Sequence, residues 1–210
     1  MVGVTNATNM IDGMDGLSAS VMMVSLLGLA VAHWQIGLPL AHDPLLPALM
    51  GAICAYLLFN LRLPWRGRAL VFFGDAGTLF LGFVLAWLLV EHSQGGDRVI
   101  APVTALWLFA VPLLDTVFVM IKRRQAGVSM VEADRGHLHH AFLRSGRSVN
   151  TTLVLMALAA AGFAGLGLLF ERYGVREYAS FGLFVVLSGV YYLVMSRVWR
   201  KRKFFGRVIE

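Results

Sequence analysis

The chain of 210 residues is 58% hydrophobic and only 14% charged, with a mean hydropathy of +0.72. It is far more apolar than a soluble domain of this length, which identifies an integral membrane protein. One cysteine, Cys54, excludes an intrachain disulfide, and the formal charge of +6 raises a nucleic-acid partner as a question that the placement of the basic residues must answer.

Apolar stretches of roughly 17 to 25 residues, the length that crosses a bilayer, occur at six places. The sequence predicts an all-α, polytopic membrane helix bundle with six transmembrane helices at residues 17–34, 45–61, 69–90, 99–121, 153–170 and 178–195. The third is interrupted by Gly74, Asp75 and Gly77, and the fourth carries Asp115, so neither reads as a plain lipid-facing helix. Lys and Arg in short loops favour the cytoplasm. Arg62, Arg66 and Arg68 follow the second span, and Lys122, Arg123, Arg124, Arg135, Arg144 and Arg147 follow the fourth. Arg197, Arg200, Lys201, Arg202, Lys203 and Arg207 follow the sixth. These are fifteen of the eighteen basic residues, and all fall on one side if six spans alternate. Both termini are therefore expected in the cytoplasm. Residues 122–150 are read as a cytoplasmic substrate-binding loop and residues 197–210 as a basic tail against anionic headgroups. The positive charge is then a matter of topology, and nucleic acid is not an expected partner.

Four groups of polar residues depart from the apolar pattern. In NATNMIDGMDGL, residues 6–17, Asp12 and Asp15 stand three apart at the mouth of the first span. On a helix they would share a face, with Gly13 and Gly16 allowing close approach of backbone or ligand. Two hard oxygen donors suit Mg²⁺, which keeps waters and is commonly held by one or two carboxylates with substrate phosphates; a capping and turn segment is the structural alternative. GDAGT, residues 74–78, again sets a carboxylate at the start of an apolar helix, where free N–H groups favour anions. A cap by Asp75 contributes only about 1 kcal/mol, less than a carboxylate inside a hydrophobic span would cost. DRGHLHH, residues 134–140, does not suit structural zinc, because the chain lacks the required cysteines. His137, His139 and His140 beside Arg135 better suit an anionic ligand such as a diphosphate, with a solvated polar loop as the alternative. Asp115 is left to pair with a basic neighbour or to support the site.

These motifs in order, Asn6-Ala7-x-Asn9-x-x-Asp12-Gly13-x-Asp15-Gly16-Leu17, Gly74-Asp75-Ala76-Gly77-Thr78, Pro112-Leu113-Leu114-Asp115 and Asp134-Arg135-Gly136-His137-Leu138-His139-His140, resemble the series of the polyprenyl-phosphate N-acetylhexosamine-1-phosphate transferases. The acidic Pro112–Asp115 stretch and the Asp134-Arg135 lead are more similar to the bacterial undecaprenyl-phosphate GlcNAc-1-phosphate transferases than to the phospho-MurNAc-pentapeptide transferases, which stand as the alternative. The resemblance implies transfer of an N-acetylhexosamine-1-phosphate from its UDP-sugar to undecaprenyl phosphate, with release of UMP, at the cytoplasmic face of the bacterial inner membrane. It implies Mg²⁺, with Mn²⁺ as a substitute, held by Asp75, Asp12 and Asp15, which form the catalytic set. It also implies substrate contacts from Asn6, Asn9, Arg135, His137, His139 and His140; a homodimer is an expected assembly. The family carries an adjacent Asp-Asp pair in its N-terminal half and further helices before the Asn6 motif; this chain has no Asp-Asp pair. The expectation is a C-terminal portion of a longer enzyme, inactive by itself. An ion-coupled transporter is a rival from another class, but the acidic groups gather at one face rather than along a path and no internal repeat is seen. A non-enzymatic membrane protein would leave the four motifs as accidents.

Overall fold

A computed structural model describes residues 1–127 and 136–206. Among these residues the elements are α1 (Val2–Ile11), α2 (Leu17–Gln35), a 3₁₀ turn (Leu40–His42), α3 (Leu45–Asn60), α4 (Gly74–Glu91), α5 (Pro102–Leu108), α6 (Ala110–Ala126), α7 (Leu138–Arg144), α8 (Val149–Arg172) and α9 (Glu177–Gly206). No strand occurs among them; one isolated bridge joins Leu63 and Arg66. The architecture is an all-helical, multi-pass membrane bundle.

Local chemistry accounts for several ends. Ser148 caps α8 by accepting the Thr151 N–H at 3.1 Å, and Pro102 opens α5, where its missing N–H is not needed. Gly127, at φ 71, closes α6 just after Arg123 and Arg124, whose positive charge suits the end of a helix dipole.

Each of the six expected spans overlaps a helix, but they are not six equal spans. Four helices are long and apolar enough to cross by themselves: α2, α4, α8 and the Glu177–Trp199 part of α9. With 16 residues, α3 is roughly 24 Å long, short of a hydrocarbon core of about 30 Å. The fourth expected span is two helices, α5 and α6, bent by 81°. Pro112 supplies the reason. It has no N–H for the Leu108 carbonyl one turn back, and that carbonyl instead accepts the Ser25 hydroxyl of α2 at 2.8 Å. The third span also starts late: residues 69–73 run outside any helix before α4 begins at Gly74.

The helix α2 forms the centre of the bundle. Of its apolar window 61% is buried inside the protein, against 17% for α9. Without a hydrophobic force between helices in lipid, close packing depends on small residues. A Cβ added at Gly28 would run into Leu108, and one at Gly167 into Trp107, so α2 and α8 each press directly on α5. Trp107 is fully buried there, with its indole N–H donated to the Ser180 hydroxyl at 2.9 Å. These contacts hold α5 against α2, α8 and α9, and the polar motifs gather at the end where α2 and α4 begin.

Candidate active site

The acidic motif is not helical. α1 ends at Ile11 and α2 begins at Leu17, so Asp12 and Asp15 sit in the five-residue break between them. They do not share a helix face. Gly16 takes φ 78, a conformation that disfavours side chains, and reverses the chain into α2. The turn is pinned from α3: the buried Asn60 accepts the Gly16 N–H at 2.6 Å and donates to the Val71 carbonyl at 2.5 Å. One amide thereby ties the acidic turn to the segment that leads into α4.

Each aspartate has a separate environment. Asp15 accepts from Arg62 Nε at 2.7 Å and from the Ala69 N–H at 3.4 Å, both on Oδ2. Asp12 accepts the Ser18 hydroxyl at 2.5 Å. Burial raises the Asp12 carboxyl above its ordinary pKa. The Ser18 hydrogen bond opposes that shift, and the negative charges of Asp75 and Asp15 add to it. The charge of Asp75 therefore reaches Asp12 across the break. Asp75 lies in the first turn of α4 and is exposed. The expected cost of a carboxylate deep in a hydrophobic span does not arise, because the helix starts only at Gly74 and its positive end faces the carboxylate.

Asn9 accepts the Thr78 hydroxyl at 2.5 Å, which locks α1 against α4 beside Asp75. At Gly82 an added Cβ would press on Thr5 and Thr8, so these two helices are as close as their backbones allow. Asn6 instead donates to the Val2 carbonyl of its own helix at 3.0 Å.

The histidines come to the same place from the far end of the sequence. A Cβ at Gly13 would strike the His139 imidazole, so the glycine between the two aspartates is the seat of that ring. His139 is 1% exposed, and neither ring nitrogen has a hydrogen-bond partner among the described residues. Burial above all, then the neighbouring His140, holds its pKa down to about 4; at neutral pH it is an uncharged imidazole. His137 and His139 stack with centroids 5.8 Å apart, and His139 and His140 lie 4.2 Å apart. Residues 138–144 of the expected loop are the helix α7. Arg135 and Asp134 lie outside the described residues, as does part of the basic tail.

Asp115 anchors this cluster. Its Oδ2 meets His137 Nδ1 at 2.9 Å, and its Oδ1 accepts the Leu138 N–H at 2.9 Å and the Tyr191 hydroxyl at 3.0 Å. It is 1% exposed. A buried carboxylate with three donors is well satisfied, and it sets both the His137 ring and the start of α7.

Sequence reasoning passed over Asn60 and Tyr56 and read Arg62 only as a loop charge. Tyr56 stacks on Phe73 at 3.6 Å between centroids and lies within electrostatic reach of Asp12 and Asp15. The available signal was spacing: Tyr56 and Asn60, four apart at the end of an otherwise apolar helix, share a face.

The donor set fits a hard divalent ion in one specific way. Among the described residues no three His, Cys, Asp or Glu groups converge to hold a metal by themselves. Asp12 and Asp75 are two oxygen donors, the first within reach of the second's charge, a pairing that suits an ion completing its shell with water and substrate phosphates.

Residues 1–93 match the family model of glycosyl transferase family 4. The chain is 38% identical over 207 residues to an undecaprenyl-phosphate alpha-N-acetylglucosaminyl 1-phosphate transferase of Escherichia coli strain K12, covering 97% of this chain and 55% of the relative. It is 37% identical over 203 residues to the enzyme of the same name from Yersinia pestis, covering 96% and 55%. For that from Pasteurella multocida the figures are 35% over 185 residues, 85% and 52%. The chain spans about half the length of the curated relatives it matches.

Proposed function

We propose that the chain, whose residues 1–93 match the family model of glycosyl transferase family 4, serves the transfer of N-acetylglucosamine 1-phosphate from UDP-GlcNAc to undecaprenyl phosphate, with release of UMP. The observation that carries this reading is the meeting of three motifs at one end of the bundle: the Asp12–Asp15 turn, Asp75 at the start of α4, and the α7 histidines seated on Gly13.

The chemistry joins two anions, so the site must first let phosphates approach. Mg²⁺, when bound by Asp12 and Asp75 with Asp15 adjacent, would spread the charge of both phosphates without any proton transfer. The protein's own contribution is placement. Asn60 and Arg62 set the acidic turn, and Asn9 with Thr78 sets α4. Asp115 sets His137, leaving His139 and His140 to meet the sugar nucleotide. A neutral His139 donates from one nitrogen and accepts at the other, a combination suited to a sugar hydroxyl or amide. Arg135 is proposed as a cationic partner of the diphosphate. Phosphoryl transfer depends chiefly on this kind of positioning and electrostatics. The distribution of basic residues supports an active site facing the cytoplasm of a bacterial inner membrane.

The test is Mg²⁺-dependent UMP release from UDP-GlcNAc in the presence of undecaprenyl phosphate. It is run on the chain alone and on the chain co-expressed with the part of the E. coli relative that it does not match. Asp75→Asn is expected to lower turnover ~100-fold or more, while membrane insertion is unchanged. Full turnover in that variant would remove Asp75 from the metal site.

A further inference from the structure

A cavity of about 460 Å³ lies away from the acidic turn. It lies at the opposite end of the bundle, where α8 ends and α5 and α9 begin. Arg98, Glu171, Arg176 and Glu177 line it over an apolar wall that includes Val103 and Phe170. The ends of spans are where headgroups meet water. Tyr173 and Tyr178, 77% and 69% exposed, stand beside it in the manner of interfacial aromatics.

Structural ties use only part of this charge. Arg98 and Glu177 pair with each other at 2.9 Å. Glu171 accepts the Ala101 N–H at 2.9 Å and the Thr104 hydroxyl at 2.5 Å, both on Oε2. Its Oε1 has no hydrogen bond among the described residues. Arg176 donates from Nη1 to the Tyr178 hydroxyl at 2.8 Å and keeps the rest of its five-donor fork. The remaining donors of the Arg176 guanidinium, which also stands over the Tyr178 ring, and the Glu171 carboxylate thus line the same cavity above an apolar wall.

We propose that this cavity binds a phosphoethanolamine headgroup, with the phosphodiester on Arg176, the ammonium on Glu171 Oε1, and the glycerol and upper acyl chain along Val103 and Phe170. The pairing of charges selects the class. A phosphoglycerol headgroup brings the anion but no cation for Glu171, and the quaternary ammonium of phosphocholine has no N–H to donate. The site depends on the membrane reading of the chain and not on the transfer reaction.

The test is native mass spectrometry of the purified chain in detergent with dioleoyl phosphatidylethanolamine, phosphatidylcholine and phosphatidylglycerol at equal mole fraction. Preferential retention of phosphatidylethanolamine is expected. Arg176→Ala should lower that retention about tenfold, the loss of one charge-assisted contact. Glu171→Gln should erase the preference over phosphatidylglycerol. The Arg176 side chain is exposed and makes one hydrogen bond, and the backbone carbonyl that accepts from Ala179 and Ser180 is kept in the variant, which is therefore expected to fold even if the Glu171 variant does not. Soluble glycerophosphoethanolamine checks the acyl contact with Val103 and Phe170: a lipid adduct that survives its excess supports the proposal, and displacement at equal concentration overturns it. Equal retention of phosphatidylglycerol by the native chain, or a phosphatidylethanolamine adduct unchanged by Arg176→Ala, overturns the proposal.

Discussion

Asp115 illustrates how a residue with no readable role becomes a support of the candidate site. Its position inside an apolar stretch marked it as unusual, since buried carboxylates need partners, but its partners come from α7 and α9, 22 and 76 residues away. Asp115→Asn keeps the shape while leaving one acceptor oxygen where three donors converge. A loss of roughly 1 to 3 kcal/mol of stability is expected, with a larger rise in KM for the sugar nucleotide than fall in kcat. Thermal unfolding and steady-state kinetics check both, and an unchanged KM would count against a positioning role. His139 carries a pH dependence. Its folded pKa of about 4 lies below the ordinary 6.5, so the folded state holds the neutral ring while the unfolded chain takes up a proton. The contribution to stability is full above about pH 6.5 and is lost as the pH falls to about 4, on the order of 3 kcal/mol. Asp12, with its raised pKa, acts in the opposite direction and is present in both proteins compared. The melting temperature of the native chain is therefore expected to fall more between pH 7 and pH 4.5 than that of His139→Gln; parallel curves would contradict it.

The break between α5 and α6 shows how one residue redirects an element. Hydropathy reads residues 99–121 as one span because every side chain near the break is apolar; the fault lies in the backbone, where Pro112 leaves the Leu108 carbonyl without its helical donor. Ser25 of α2 supplies the substitute. Ser25→Ala orphans a buried carbonyl and is expected to cost about 1 to 3 kcal/mol. Pro112→Ala restores an N–H that can serve the same oxygen, so the double variant should be less destabilised than the sum of the two. A double-mutant cycle by denaturant unfolding measures this coupling, and strict additivity would mean that the two residues do not share that carbonyl. The acidic turn teaches the same lesson. Asp12 and Asp15 were expected on one helix face if helical, and it is Gly16 at φ 78 with the distant Asn60 that makes the segment a turn.

For the whole molecule, the charge distribution predicts a sidedness that labelling can read. In a Cys54→Ser background, Ser145→Cys and Gln94→Cys place single thiols at exposed positions beside α7 and after α4. A membrane-impermeant maleimide added to intact cells is expected to modify Gln94→Cys, and to modify Ser145→Cys only after the membrane is opened. The reverse pattern would turn the proposed orientation over. What the amino-acid sequence determined by itself was the class of molecule, the approximate place of each apolar helix and the identity of the polar motifs, because hydropathy and residue type are local properties summed along the chain. Only the tertiary structure decided that Gly13 is the seat of His139, that Asp115 belongs to the histidines and that Asn60 holds the acidic turn. Each of these is a contact between segments 22 to 126 residues apart, set by helix packing at small residues and by the need of buried polar groups for partners, neither of which leaves a periodic trace in the sequence.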